Sequence, residues 1–232
     1  MPEPTSLVSI RIPPRTPGTG KPPLLVLMHG IGSDEHDLAG LATHVDGRFD
    51  IRSARGPIRL GPGQFAWFEV STAADGSRRI NPAQAESSRL TVLRFVDEAL
   101  AADGADPDRV YLAGFSQGGI MAFAVSLSEP ERIAGAVAMS SRILPEMEPR
   151  HAGADRLTGL PLLVVHGTRD QVIPIASGRA SQALLSKVPV QLTYREFPMA
   201  HQITPESLDL FASWLTEHLD QPRRVATSES HP

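Results

Sequence analysis

Cysteine is absent from the 232 residues. That excludes structural disulfides, thiolate metal sites and a cysteine nucleophile, and leaves the redox compartment open. Lysine is nearly missing too. Lys21 and Lys187 stand alone, and arginine carries the rest of the positive charge. With a formal net charge of -4 and no long basic run, neither nucleic acid nor an anionic membrane surface is expected as a partner. No apolar run approaches membrane-spanning length, so no stable membrane insertion is expected. Met1-Pro2-Glu3-Pro4 has neither the basic nor the apolar part of a leader, and a cytoplasmic protein is the expectation.

What is present is a chain that is 41% hydrophobic, enough to bury a sizeable core as one domain. Leu7-Val8-Ser9-Ile10-Arg11-Ile12 alternates like a half-exposed edge strand. Leu24-Leu25-Val26-Leu27-Met28 is continuously apolar, as is a strand covered on both faces. A helix is expected at about residues 35–45 after a cap at Ser33 or Asp34, then a strand over Phe49–Ala54. Residues 55–81 form a long excursion rich in glycine, proline and aromatics. Asn81-Pro82 opens a helix reaching about Asp103, and further strands are expected at Arg109–Ala113, Ile133–Met139, Leu160–His166 and Val190–Phe197. Residues 140–159 read as a loop, and helices are expected at Ala176–Lys187 and Pro205–Leu219. This alternation predicts an α/β fold with a mainly parallel central sheet and helices on both faces, one domain over residues 1–219. Residues 220–232 are polar and expected to be a disordered tail.

Gly114-Phe115-Ser116-Gln117-Gly118 lies between an apolar strand and an apolar helix. A G-x-S-x-G in that setting is a nucleophile elbow, a turn tight enough to strain its central serine and to aim a helix N-terminus at its hydroxyl. Serine needs a base, and the base needs an orienting carboxylate. On a sheet of this kind the acid and then the histidine follow the serine along the chain. His151, His166, His218 and His231 fit that order or the strand ends poorly, and His201, between the last strand and last helix, fits both. Asp170 directly follows the strand ending at His166, whereas Asp155 precedes that strand, and Glu196 and Asp209 read as solvated charges. The oxyanion donors are expected to be the backbone N–H groups of Gln117 and of Ile31 in His29-Gly30-Ile31-Gly32. His29 reads as structural, with no second ligand at metal-binding spacing; no metal and no cofactor is expected.

His29-Gly30-Ile31-Gly32, Ala66-Trp67-Phe68-Glu69, Gly114-Phe115-Ser116-Gln117-Gly118-Gly119 and His166-Gly167-Thr168-Arg169-Asp170 together resemble the phospholipase/carboxylesterase family of α/β-hydrolases. The resemblance spans most of residues 7–219. It implies a lid-poor serine hydrolase of carboxylic esters or thioesters, with Ser116, Asp170 and His201 as triad and a small-molecule ester as partner. Glu69, Ser33 and Ile143 depart from the family's usual Asp, acidic and aromatic residues, which leaves the triad alone and the acyl pocket undefined. Phe65, Trp67 and Met199 are the pocket candidates, since the long excursion and the His201 loop should overhang Ser116. The apolar stretch 61–70 could also serve a homodimer interface. An acyltransferase, lyase or peptidase on the same scaffold, or a non-catalytic ligand-binding protein, are the rival readings. Dehalogenase and dienelactone-hydrolase chemistry would want Asp or Cys at position 116.

Overall fold

The computed structural model describes residues 5–16, 18–72 and 78–221. In chain order these form β1 (Ser9–Ile12), β2 (Pro23–Met28), β3 (Asp50–Ala54), β4 (Ile58–Gly61), β5 (Gln64–Ala66), β6 (Val70–Thr72) and β7 (Arg78–Ile80). Then come α1 (Pro82–Asp103), β8 (Asp106–Phe115), α2 (Gln117–Ser128), β9 (Gly135–Met139), α3 (Ala154–Leu157), β10 (Pro161–Gly167), α4 (Ile175–Leu185), β11 (Gln191–Phe197) and α5 (Pro205–Leu219).

Seven strands make one sheet in the order β1-β3-β2-β8-β9-β10-β11. Every neighbouring pair is parallel except β1 with β3. Side chains alternate across the sheet, so the apolar runs of the inner strands feed two cores at once. Leu24, Val26 and Met28 of β2 pack with Val92, Phe95 and Met121 under α1 and α2. Leu25 and Leu27 point the other way, into a cluster with Phe211, Trp214 and Leu215 of α5. α1 starts where the sequence indicates: Asn81 caps it by accepting from the Gln84 N–H, and Pro82 sits in the first turn. α5 likewise begins at Pro205 behind a Thr204–Ser207 capping box.

Three expected regions differ. Residues 35–45 do not form an α-helix; turns lead into a 3₁₀ segment at Ala39–Thr43. Its Leu38, Ala42 and Val45 are buried at helical spacing, yet Gly40 and the shortness of the segment give an α-helix little to propagate. The excursion after β3 folds into two antiparallel hairpins, β4–β5 and β6–β7. The 140–159 loop contains a 3₁₀ segment, Pro145–Arg150, and the single turn α3; Pro149 keeps the first from lengthening. Residues 222–232, the greater part of the expected tail, lie outside the described residues. No helix among the described residues is long and apolar enough to cross a membrane.

The chain winds outward on one side of β2, then returns to lay β8 on its other side. This reversal is where open parallel sheets form a crevice at their carboxyl ends. Met28, the last residue of β2, is in register with Gly114 of β8. The loops after both strands are therefore neighbours.

Candidate active site

Ser116 sits between β8 and α2 with φ 55° and ψ −115°, a backbone state that L-residues adopt only under constraint. The constraint is crowding. A Cβ on Gly114 would stand 2.1 Å from the Gly118 carbonyl carbon, and one on Gly118 would stand 1.9 Å from the Met28 oxygen. Only glycine lets the turn close this far onto β2. The Ser116 N–H donates to the Met139 carbonyl at 2.9 Å, and the Ser141 hydroxyl donates to the Ser116 carbonyl at 2.8 Å. Both sides of the turn are thereby tied to β9 and the loop after it.

The loops carrying Asp170 and His201 are joined by backbone hydrogen bonds. Thr168 N–H donates to Phe197 and Arg169 N–H to Met199. Asp170 is almost fully buried, and its Oδ1 accepts the Val172 and Ile173 N–H groups, each at 2.9 Å. Its Oδ2 is left for His201 Nδ1, at 2.7 Å. His201 Nε2 is 3.0 Å from Ser116 Oγ, and the Phe115 ring packs 4.8 Å from the imidazole. An Nδ1–H donated to the carboxylate leaves Nε2 to accept from the serine hydroxyl. His166, set aside as base, is wholly buried beneath this turn and holds it through Nε2 to the Ile173 carbonyl at 2.8 Å.

The 29–32 loop is held as firmly. The Gly56 N–H donates to His29 Nε2 at 2.9 Å, which puts the ring proton on Nδ1, 2.7 Å from the Gly30 carbonyl. The Trp67 indole N–H donates to the His29 carbonyl at 3.0 Å. Burial holds the His29 pKa below its ordinary value of 6.5, as it does for His151. In the unfolded chain both bind a proton near 6.5, while in the fold they stay neutral to lower pH. The unfolded state thus takes up more protons as pH falls through that value, and stability must drop. Thermal midpoints measured from neutral pH into the mildly acidic range, above the carboxylate titrations, are expected to fall; a flat or rising midpoint would contradict the assignment.

The Gln117 side chain is a clamp. Its oxygen accepts the Trp67 N–H and its amide donates to the Phe68 carbonyl, both at 2.7 Å. Ser88 of α1 donates to the Trp67 carbonyl as well. Trp67 is thus a brace between elbow and loop, where a pocket wall was expected. Trp67 has no exposed surface and can touch no substrate. Met199 is 4% exposed and packs into the α5-side core, contributing its carbonyl, not its side chain, to the site. Phe65 pairs its backbone with Ser33 and carries the Arg55 guanidinium 4.4 Å above its ring.

The cavity beside Ser116 measures about 210 Å³ and is walled instead by Ile31, Phe68, Val70, Ile80, Ile120, Val172, Ile173 and Pro174, with Gln117, Arg142 and Ser177. Several of these lay within reach of sequence reasoning. Ile120 is one helical turn from Ser116, Val172 and Ile173 are two and three residues past Asp170, and Arg142 is three past the end of β9. Nothing in the sequence shows that the excursion's Phe68 faces inward while Trp67 faces the core. Asp34, Glu35 and His36 form the one cluster among the described residues able to gather round a metal. The Arg55 guanidinium already occupies the Glu35 carboxylate.

A strained serine at a strand–helix turn, a histidine and a carboxylate in hydrogen-bonded sequence, and a mainly parallel sheet define the α/β-hydrolase class. Residues 15–219 match the phospholipase/carboxylesterase family, and the chain belongs to it. Acyl-protein thioesterase 1 of Cryptococcus neoformans is 26% identical over 243 residues, 93% of this chain and 99% of that protein. Acyl-protein thioesterase 1 of Gibberella zeae is 24% identical over 213 residues, covering 84% and 90%. Among solved structures, the Bacillus cereus carboxylesterase has a TM-score of 0.75 at 24% identity, covering 91% of this chain and 94% of that one. The Mesorhizobium loti carboxylesterase has a TM-score of 0.77 at 23% identity, covering 91% and 95%.

Proposed function

We propose that the chain hydrolyses carboxylic esters or thioesters through an acyl-enzyme on Ser116. The observation that carries this reading is the relay Ser116 Oγ–His201 Nε2 at 3.0 Å and His201 Nδ1–Asp170 Oδ2 at 2.7 Å, opening on an apolar cavity. As Oγ attacks the carbonyl carbon, Nε2 takes its proton, and Asp170 stabilises the imidazolium that forms. The carbonyl oxygen gains negative charge and moves toward the N–H groups of Gln117 and Ile31. Gln117 is the first residue of α2, so its N–H has no partner one turn back. Nε2–H then protonates the departing alcohol or thiol. A water attacks the acyl-enzyme by the same route, with His201 as base and then acid. The names of the relatives support esters and thioesters as the substrate class.

The test is labelling with a fluorophosphonate followed by peptide mass analysis. An adduct on Ser116 is the expected result; an unlabelled Ser116 in folded protein would overturn the reading and favour a ligand-binding role.

A further inference from the structure

Among the described residues that line the cavity beside Ser116, Arg142 alone carries a charge. It is half-buried in the loop after β9, and among the described residues no ion pair or hydrogen bond engages its guanidinium. It also lines, with Glu148 and Ser177, a second cavity of about 170 Å³, although no ion pair joins it to Glu148. Of the other arginines near the site, Arg55 is paired with Glu35 and Arg179 with Glu196, while Arg169, next to Asp170, is exposed and does not line the cavity. A cation that faces an otherwise apolar cavity without a carboxylate is costly to cover with hydrocarbon, because the ligand strips its water and returns nothing. A carboxylate offered there would meet a planar fork of donors.

Ile31, Gln117 and Ser116 line this cavity, and the acyl half of the ester is the half assigned to it.

Resting on the serine-hydrolase reading, we propose that Arg142 selects esters whose acyl chain ends in an anionic group, a dicarboxylic acid monoester being the simplest case. The guanidinium binds the terminal carboxylate while the chain between it and the scissile carbonyl lies against Ile120, Val172 and Ile173.

Monomethyl adipate and methyl hexanoate present acyl chains of equal length with and without the terminal carboxylate, and both can be followed by proton release at constant pH. The readout is the ratio of their kcat/KM values within each variant. Wild type is expected to favour the adipate by about 10- to 100-fold, the worth of a hydrogen-bonded charge pair. Arg142→Leu should bring the ratio to one or below, Arg142→Glu should lower it further, and Arg142→Lys should restore most of it. Fluorophosphonate labelling of Ser116 in each variant reports an intact site. A wild-type ratio near one, or a ratio that Arg142→Leu leaves standing, overturns the proposal while ester hydrolysis itself remains. Discrimination seen only between butanoyl glycerol phosphate and butanoyl glycerol would move the anion to the leaving group and overturn the acyl assignment. Neither ester cleaved, with Ser116 unlabelled, would remove the parent reading and this one with it.

Discussion

Ser116→Ala is expected to lower kcat on a short-chain ester by about 10⁴- to 10⁶-fold, with KM changed far less. The alanine keeps the Cβ and the backbone, so the cavity, the Gln117 clamp and the His201–Asp170 hydrogen bond survive; only the atom 3.0 Å from Nε2 is lost. What activity remains comes from binding and from the oxyanion donors. Ser116→Gly should be as inactive and yet more stable than wild type, by about 1 kcal/mol, because glycine relieves the strain of holding an L-residue at this backbone geometry. Steady-state kinetics and thermal midpoints on the two variants check both halves. A Ser116→Ala enzyme with wild-type turnover would remove Ser116 from the chemistry, and a Ser116→Gly midpoint below wild type would show that φ 55° stores no strain.

Gly118→Ala is expected to be worse for the fold than any of the catalytic substitutions. The new Cβ would lie 1.9 Å from the Met28 oxygen, 2.4 Å from its carbon and 2.8 Å from the His29 oxygen. Those atoms belong to the end of a central strand and the start of its loop, where β2 is paired on both edges, and no rotamer change can relieve a clash with backbone. A loss above about 4 kcal/mol is expected, which is rare for a single methyl group. It should appear as little folded protein or a much lower urea midpoint. Gly40→Ala, whose Cβ would meet nothing within 4 Å, serves as the control and should behave as wild type. A Gly118→Ala protein with an unchanged midpoint would mean that the elbow is not wedged against β2.

The sequence made the architecture legible because its strands are apolar on both faces and its long helices carry their own caps. Asn81 and Thr204 mark two helix starts to the residue. Ser116, Asp170 and His201 were reachable for a related reason: each follows a strand in a parallel sheet, so chain order and strand ends alone bring them to one rim. The pocket was not reachable in the same way. Trp67 and Phe68 are adjacent, equally aromatic and both buried, yet one braces the His29 carbonyl and the other walls the cavity. Which faces which way is settled by the Gln117 amide and Ser88, residues distant in sequence. Residues 35–45 failed for want of any tertiary clue. Their burial repeats at helical spacing, but the segment lies between β2 and β3, and its short apolar face can be served by 3₁₀ turns as well as by an α-helix.

The pairing of β2 with β8 has a consequence for how such enzymes diversify. Ile31 and Gln117 are 86 positions apart along the chain, but each lies only a few residues beyond the aligned pair Met28 and Gly114. The spacing of the two N–H groups proposed to hold the oxyanion therefore follows from the ladder that sets the ends of β2 and β8 side by side. Most of the cavity wall hangs from segments outside that ladder: the excursion after β3, the loop after β9 and the turn before α4, with Ile120 of α2 as the exception. Grafting those segments between relatives should exchange what is recognised while the bond-breaking apparatus stays in calibration.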